Sequence, residues 1–210
     1  MVIVTKFQCA LSNYQTCFGQ LVFLRPATCP KCGAQQSFIG HGFYQRKALD
    51  ARQVYLIRVK RWYCTVCRRT LSLLPSFLLR FRQYGLAVIE AVVAAHYEAL
   101  ASWAEIRRRY APAGAPSFRT IKRWCNAFAA HAAEWLAEVE RTLEQPVSPG
   151  PIPLSDTASV RNVPQALLKA CWHLLAWAHD QMALTQSYGA DDRLRYLWLW
   201  GYARGLARLL

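Results

Sequence analysis

Two Cys-x-x-Cys pairs, Cys29-Pro30-Lys31-Cys32 and Cys64-Thr65-Val66-Cys67, constrain the fold of this chain more than any other feature. At this spacing two thiolates can bind one metal ion from a tight turn, and four of them complete a tetrahedral Zn²⁺ site. Gly33 follows the first pair, where such a turn often requires a positive φ. The sequence therefore predicts a structural zinc ion with four ligands, Cys29, Cys32, Cys64 and Cys67.

Two alternatives to zinc stay open at this point. Four reduced cysteines could lie in an ordinary core, although a core does not require two matched pairs. A redox Cys-x-x-Cys would be single and would lie in a βαβ context, which the sequence does not show. His41 lies between the pairs and could replace one cysteine, but with four cysteines present we predict a surface or packing role for it.

The 31 residues between the pairs exceed the roughly 15–20 that usually separate paired zinc-binding turns. They contain two strand-like runs, residues 36–48 and 53–63, joined by a turn at Asp50-Ala51-Arg52. The second run alternates apolar with basic residues, Tyr55, Ile57 and Val59 with Arg58 and Lys60. We therefore predict a hairpin with one packed face and one cationic face. Residues 1–25, which include the apolar run 21–24, are predicted to form one or two further strands.

Positive charge is concentrated in the first part of the chain. The net charge is +14, and residues 1–82 contain 13 Lys and Arg side chains against a single acid, Asp50. This distribution is typical of a protein that binds a polyanion such as nucleic acid, the alternative being a generic basic surface. We predict no membrane span, because no uncharged apolar run reaches about 18–20 residues. We also predict no signal peptide, because the apolar start of the chain is short and is followed by Lys6. Zinc thiolates and free thiols favour the reducing cytoplasm.

From residue 83 onward the apolar residues recur with helical spacing. Ser102 and Glu105 form a capping box that begins a short helix ending at Tyr110, and Ser117 is predicted to cap a third helix that ends near Leu143. The first helix is predicted from an apolar stripe, Leu86, Ile89, Val93, Tyr97 and Leu100. The core face of the third helix is predicted to hold Phe118, Ile121, Cys125, Phe128, Ala132, Trp135 and Val139.

A second face of the third helix carries Arg119, Lys122, Arg123 and Asn126 near its N-terminus. Such residues after a short helix and a Gly-containing turn favour the recognition helix of a helix-turn-helix. The turn, residues 111–116, is longer than the usual roughly 3–4 residues, so the motif would be a loosened variant. The alternative is a helical bundle with a solvated cationic face.

The remainder of the chain is predicted to contain a Pro-rich linker and two apolar helices. Asn162 is predicted to cap the first, which ends near residue 184, and Asp191 or Asp192 the second. Gly201 and Gly205 indicate close packing in a bundle, with a subunit or partner interface as the alternative. We therefore predict an α+β chain: a β-rich zinc ribbon at 1–80, helix-turn-helix helices at 83–144, a linker at 145–160 and a C-terminal helical pair at 161–210.

The order of these motifs resembles the N-terminal module of bacterial insertion-sequence transposases. The similarity lies in the cysteine pairs, His41-Gly42-x-Tyr44-x-Arg46, Leu74-Pro75-x-Phe77-Leu78, and Pro116-Ser117-x-x-Thr120-Ile121-x-Arg123-Trp124. It covers roughly residues 20–140 and implies that the chain binds double-stranded DNA at the ends of a mobile element. The DNA-contacting residues that we predict are Arg46, Lys47, Arg58, Lys60, Arg61, Arg68, Arg69, Arg107, Arg108, Ser117, Arg119, Thr120, Lys122, Arg123 and Asn126.

The catalytic domain of such transposases has no counterpart in this sequence. That domain holds two Mg²⁺ ions on three carboxylates, whereas the acids after the third helix here are Glu144, Asp156, Asp180, Asp191 and Asp192, with no strand pattern around them. We therefore expect a cytoplasmic, nucleoid-associated DNA-binding protein without enzymatic activity that acts with a separate transposase or another mobile-element protein. A protein–protein adaptor, half of a split transposase, and association with a second copy of the chain stay open as alternatives.

Overall fold

The computed structural model describes residues 2–5, 9–51, 53–111, 116–144, 162–182, 192–206 and 209. The chain divides into two compact units, Met1–Leu86 and Ala87–Leu210, called unit 1 and unit 2 below. A β-sheet that carries the four cysteines is followed by a mostly helical region, which confirms the predicted α+β class. The predicted linker at 145–160 and most of the predicted break at 111–116 lie outside the described residues.

Unit 1 is built on a sheet of four strands: β1 (Val2–Thr5), β2 (Phe38–Leu49), β3 (Val54–Cys64) and β4 (Thr70–Pro75). Their order is β1-β4-β3-β2; β1 pairs parallel to β4, and the other pairs are antiparallel. The long β2–β3 hairpin confirms the two predicted strands to within two residues at each end. β4 is not predicted from the sequence: its alternation covers only Thr70–Leu73, and the following Leu74 and Pro75 are both buried.

The alternation predicted in β3 is confirmed. Tyr55, Ile57 and Val59 are buried, whereas Arg58 on the opposite face is exposed. The buried face packs against a core cluster that also contains Tyr14, Leu74, Phe77 and Leu78. The pairing of β2 with β3 shifts between Gly40 and Phe43, and Gly42 takes a φ of +65° within this bulge.

The prediction of one or two strands in residues 1–25 is correct only for β1. Residues 11–20 form helical turns instead, with α1 at Tyr14–Cys17 between two short 3₁₀ helices, and Leu21-Val22-Phe23-Leu24 forms no strand. These helical turns lie along one edge of β3. On that edge β4 pairs only with residues 61–63 of β3, which leaves the earlier part of the edge without a neighbouring strand. The carbonyls of Arg58 and Leu56 accept hydrogen bonds from Tyr14 Oη (2.9 Å) and Gln15 Nε2 (2.8 Å), so side chains rather than another strand cover this edge.

Unit 2 holds the helices, which are α2 (Leu86–Tyr97, beginning at the last residue of unit 1), α3 (Trp103–Tyr110), α4 (Phe118–Leu143), α5 (Val163–Met182) and α6 (Arg193–Ala203). Three predicted N-caps are confirmed: Ser102 Oγ accepts from Glu105 N (3.2 Å), Ser117 Oγ from Thr120 N (3.2 Å), and Asn162 Oδ1 from Gln165 N (2.9 Å). Among the described residues, no helix combines the length and hydropathy needed to cross a bilayer.

Two helix predictions need correction. Leu100 does not continue the apolar stripe of α2, because it lies beyond the helix with a φ of +52° and is 62% exposed. Of the two predicted caps, Asp191 lies outside the described residues, and Asp192 takes the N-cap position of α6 but makes no side-chain cap hydrogen bond; its carboxylate faces Arg195 at 3.6 Å instead. Both errors concern a residue at a helix end, where the local sequence pattern constrains the structure least.

A buried ion-pair network in unit 2 joins three helices. Arg193 of α6, only 5% exposed, donates from Nε to Glu90 (2.9 Å) and from both terminal nitrogens to Glu98 (2.7 and 2.9 Å). The same guanidinium reaches the carbonyl of Leu168 in α5 at 3.4 Å, and the second oxygen of Glu90 accepts from Leu194 N at 3.0 Å. The first turn of α6 is thereby fixed to α2 and α5, an arrangement that the sequence does not predict.

Gly201 of α6 lies directly against the buried ring of Trp135 in α4. A Cβ at this position would be 2.1 Å from Cζ3 of that ring, so the predicted close packing in a bundle is confirmed for Gly201. Replacing Gly201 with Ala is therefore expected to lower the free energy of unfolding of unit 2 by about 1–3 kcal/mol. The higher helix propensity of Ala alone would stabilise the unit by roughly 1 kcal/mol. The direction in which the melting temperature shifts therefore shows whether the clash with Trp135 or helix propensity dominates. In a Trp135→Leu background the penalty should largely disappear.

Candidate metal centre and cationic surfaces

The four cysteines of the two Cys-x-x-Cys pairs meet at one point of unit 1. Their sulfur atoms all lie within 4.8 Å of one another, and the Cys29–Cys67 and Cys32–Cys64 sulfur pairs are each 3.8 Å apart. A tetrahedral zinc ion with Zn–S bonds of about 2.3 Å requires S–S separations of about 3.8 Å. The cluster therefore has the ligand number, chemistry and spacing of a closed structural metal site.

The two cysteine turns have matching backbone geometry. Cys29 N donates to Ala34 O (2.9 Å) and Cys64 N donates to Arg69 O (3.0 Å), five residues onward in each case. The residue after the second cysteine is left-handed in both turns, with a φ of +72° at Gly33 and +55° at Arg68. The positive φ predicted at Gly33 is confirmed, and Arg68 adopts the same conformation although it has a side chain.

Ser37 connects the two cysteine turns. Its carbonyl accepts from Thr65 N (2.9 Å) and Oγ1 (3.1 Å), and its hydroxyl lies 3.2 Å from Cys64 Sγ. This hydroxyl lowers the pKa of Cys64 to about 6, whereas burial raises the pKa of Cys67 to about 12. Because thiolates are the form that binds a metal ion, binding of a cation would release any protons that these thiols carry.

A small apolar layer supports the cluster. Cys29 and Cys64 are buried with Phe38 and Leu71, and Trp62 packs against them, while Cys32 remains exposed. Four sulfur ligands favour Zn²⁺ or iron over hard cations, so the site is compatible with zinc. His41 is exposed, and its ring lies 5.6 Å from that of Tyr63, which confirms a surface role rather than a place among the ligands.

Cations and aromatic rings alternate on the outer face of the hairpin. The guanidinium of Arg58 lies over the rings of Phe18 (4.6 Å) and Phe43 (4.9 Å), and Lys60 Nζ lies over Phe43 (4.7 Å) and Trp62 (4.8 Å). These contacts hold the charges in place while Arg58 stays exposed. Among the other predicted ribbon contacts, Lys47, Arg68 and Arg69 are exposed and Arg61 is half-buried over the ring of Tyr44.

Arg46 has a structural role that differs from the predicted DNA contact. Its guanidinium is half-buried and donates to the carbonyls of Leu79 (3.0 Å) and Arg82. Because both carbonyls belong to one turn after β4, Arg46 fixes the conformation of that turn. We therefore assign Arg46 to the scaffold of unit 1 rather than to a free cationic surface.

In unit 2, the predicted basic face of α4 is accessible. Arg119, Lys122, Arg123 and Asn126 are all exposed, whereas Ile121, Trp124, Cys125 and Phe128 are buried behind them. Ser117 is exposed at the helix cap, and half-buried Thr120 shares a 2.9 Å hydroxyl hydrogen bond with it. Arg107 and Arg108 of α3 are exposed as well.

Aromatic contacts hold α4 against the two preceding helices. The ring of Trp103 stacks on His96 at 4.0 Å and meets the edge of Phe118 at 5.8 Å, and Tyr97 Oη donates to Cys125 O at 3.1 Å. Burial lowers the pKa of His96, which favours the neutral form of this imidazole. The exposed end of α4 is thereby presented from a fixed three-helix support.

Residues 29–124 match the model of a family described as a domain of unknown function, DUF6431. The match begins at Cys29 and ends at Trp124 in α4, so it includes both cap residues Ser102 and Ser117. No curated protein and no solved structure matches the chain. The part of the chain that is similar to DUF6431 therefore contains the complete four-cysteine cluster, which can hold a metal ion.

Proposed function

We propose that this chain is a zinc-dependent protein that binds double-stranded DNA through the N-terminal end of α4. The observation that carries the proposal is the exposed set Arg119, Lys122, Arg123 and Asn126, which lies at i, i+3, i+4 and i+7 on one helix face. In the major groove, arginine can pair bidentately with guanine and asparagine with adenine. Ser117, whose side chain caps the helix directly before this face, is available to a phosphate at the same helix end.

Unit 1 would contribute affinity that does not depend on base sequence. Its exposed cations Arg58, Arg68 and Arg69 and the partly exposed Lys60 are suited to contact phosphates, with release of counterions from the duplex. In this proposal zinc has no chemical role beyond fixing the two cysteine turns. The predicted function is therefore binding without a catalytic step.

We further propose that the protein serves a mobile genetic element as an accessory, targeting or regulatory factor beside a separate transposase. The support is the resemblance of the cysteine pairs and of the Thr120-Ile121-x-Arg123-Trp124 string to transposase N-terminal modules. The reading frames beside the coding sequence test this role. A neighbouring transposase frame is expected, and a neighbouring frame for an isolated ribonuclease-H-like domain would favour half of a split enzyme instead.

Replacing Arg119 or Arg123 with Ala is expected to weaken binding to a specific duplex by about 1–3 kcal/mol each, because each would remove a base contact. Fluorescence anisotropy on duplexes with candidate element ends measures the loss. Arg141→Ala provides a matched control, because this arginine is 70% exposed at the other end of the same helix. A loss that is equal on unrelated duplexes would instead identify Arg119 and Arg123 as phosphate contacts.

The adaptor alternative has less support from unit 2. The aromatic residues of α6 would be the natural anchors for a partner, but Trp198 and Trp200 are only 4% and 6% exposed, and the ring of Trp198 lies 6.5 Å from that of Trp135. These rings form part of the core of the unit. An adaptor would therefore need another surface, such as the one around Trp172 of α5, which is 44% exposed.

A further inference from the structure

One turn of unit 1 presents an aromatic side chain to solvent in an unfavourable backbone conformation. Phe81, which follows β4 in the sequence Arg80-Phe81-Arg82, is 84% exposed and has a φ of +63°. The left-handed region is rare for bulky residues and is occupied mainly by Gly, Asn and Asp. A turn that served only to reverse the chain would thus be better formed with Gly or Asn at this position.

The surrounding structure holds this turn firmly. Arg82 N donates to Leu79 O at 3.2 Å, and the Arg46 guanidinium donates to the carbonyls of the same two residues. On the C-terminal side, Leu49 N donates to Gln83 O at 2.8 Å, and Gly85 N donates to Leu49 O at 2.8 Å. A strained residue that persists within so many constraints is typical of a functional position.

The chemistry around Phe81 favours a polyanion that carries flat apolar rings. Arg80 lies with its guanidinium carbon 4.5 Å from the centre of the Phe81 ring, and Arg82 follows directly in sequence. Asp50, the only acid in residues 1–86, accepts hydrogen bonds from Tyr55 Oη and Gln53 N. The ring thus stands in a positively charged environment, where phosphates are attracted and bases can stack.

We propose that Phe81 is a wedge that stacks at a base step of the bound duplex and partly unstacks it, while Arg80 and Arg82 contact the flanking phosphates. Apolar side chains inserted in this way kink DNA in several architectural proteins. The inference rests on the proposed DNA binding. It adds that unit 1 deforms the bound duplex, whereas the proposed function assigns the base contacts to α4. Because the turn is preformed, its backbone needs no ordering on binding.

The test uses the zinc-loaded full-length chain and duplexes with 2-aminopurine at successive positions, whose fluorescence rises when the base is unstacked. The wild-type chain is expected to raise the signal at one step. Phe81→Asn should abolish the rise and weaken binding roughly tenfold, in line with the loss of one stacked base. The same variant should melt at an unchanged or higher temperature, because Asn tolerates a positive φ. Phe81→Tyr should retain the rise.

Leu24→Asn is the matched control, because Leu24 is also a highly exposed apolar residue of unit 1, at 76%, and should leave binding and fluorescence unchanged. The wedge is refuted, with duplex binding intact, if the wild-type chain binds without a fluorescence change. It is equally refuted if Phe81→Asn binds the duplex and raises the fluorescence like the wild type. If the wild-type chain binds no duplex in low salt, the proposed function fails, and the wedge fails with it.

Discussion

Loss of the metal is expected to unfold the cysteine-bearing end of unit 1 while unit 2 stays folded. Among the described residues, the buried cluster at this end consists of Cys29, Phe38, Cys64 and Leu71, with Trp62 and Cys67 packed against it, which is too small a core to be stable alone. Structural zinc in small domains contributes about 10–16 kcal/mol of binding free energy, and this free energy is coupled to folding. Removing the ion should therefore disorder both cysteine turns and the adjoining ends of β2 and β3.

Elemental analysis and hydrogen exchange measure this effect. The purified chain should contain one zinc ion, and chelation should abolish protection in the turns and in the adjoining strand ends, with recovery when zinc is added back. Cys64→Ser should behave like the chelated protein, whereas Cys17→Ser, which changes a thiol outside the cluster, should not. Unchanged exchange after complete removal of the metal would show that the ion is not structural.

Replacing Arg193 with Met is expected to destabilise unit 2 by about 3–5 kcal/mol. The change removes the guanidinium counter-ion of the Glu90 carboxylate, which is 3% exposed, and the same cation also binds Glu98. Breaking one side of a buried pair is costly because the remaining charge has neither water nor a counter-ion. Chemical denaturation followed by far-UV circular dichroism, which reports the helices, measures the loss.

Two comparisons separate the buried charge from general effects of the substitution. Arg141→Met removes an exposed arginine that is paired with Glu138 and should cost less than about 1 kcal/mol. The triple variant Glu90→Gln, Glu98→Gln, Arg193→Met should recover part of the loss, because it removes the uncompensated charges and keeps an acceptor for Leu194 N. A cost for Arg193→Met no larger than that for Arg141→Met would contradict this account of the network.

The features that the sequence predicts correctly depend on neighbouring residues. The metal cluster follows from two pairs at fixed spacing, the β2–β3 hairpin from a run with period two, and the starts of α3, α4 and α5 from Ser102, Ser117 and Asn162. In each case the sequence signal lies in residues at most a few positions apart, or in cysteines whose chemistry identifies them, although the hairpin itself pairs residues as distant as Phe38 and Cys64.

The features that the sequence misses depend on tertiary partners. Residues 11–20 are helical because the exposed edge of β3 offers carbonyls to Tyr14 and Gln15, which local pattern cannot show. The contact of Arg193 with Glu90 joins residues 103 positions apart. The available signals for that network are charged residues within mostly apolar helices, Glu90 in α2 and Arg193 in α6, and they do not show that the two residues pair.

The candidate DNA-binding residues show the same limit. Charge and spacing identify the exposed cations of α4 correctly, but they also select Arg46, whose guanidinium is used within the protein. Phe81 shows the converse: the sequence gives no reason to select it, because a phenylalanine is by default a candidate for the core. Only its 84% exposure and positive φ distinguish it from the buried aromatic residues of the same unit.

Binding of the zinc-loaded full-length chain to duplex DNA over a series of salt concentrations tests the central claim most directly. The account predicts an affinity whose logarithm falls linearly with the logarithm of the salt concentration, because phosphate contacts release counterions. It also predicts that Arg119→Ala and Arg123→Ala weaken binding to the preferred duplex while Arg141→Ala does not. Absence of duplex binding in low salt, or equal binding by all three variants and the wild type, would contradict it.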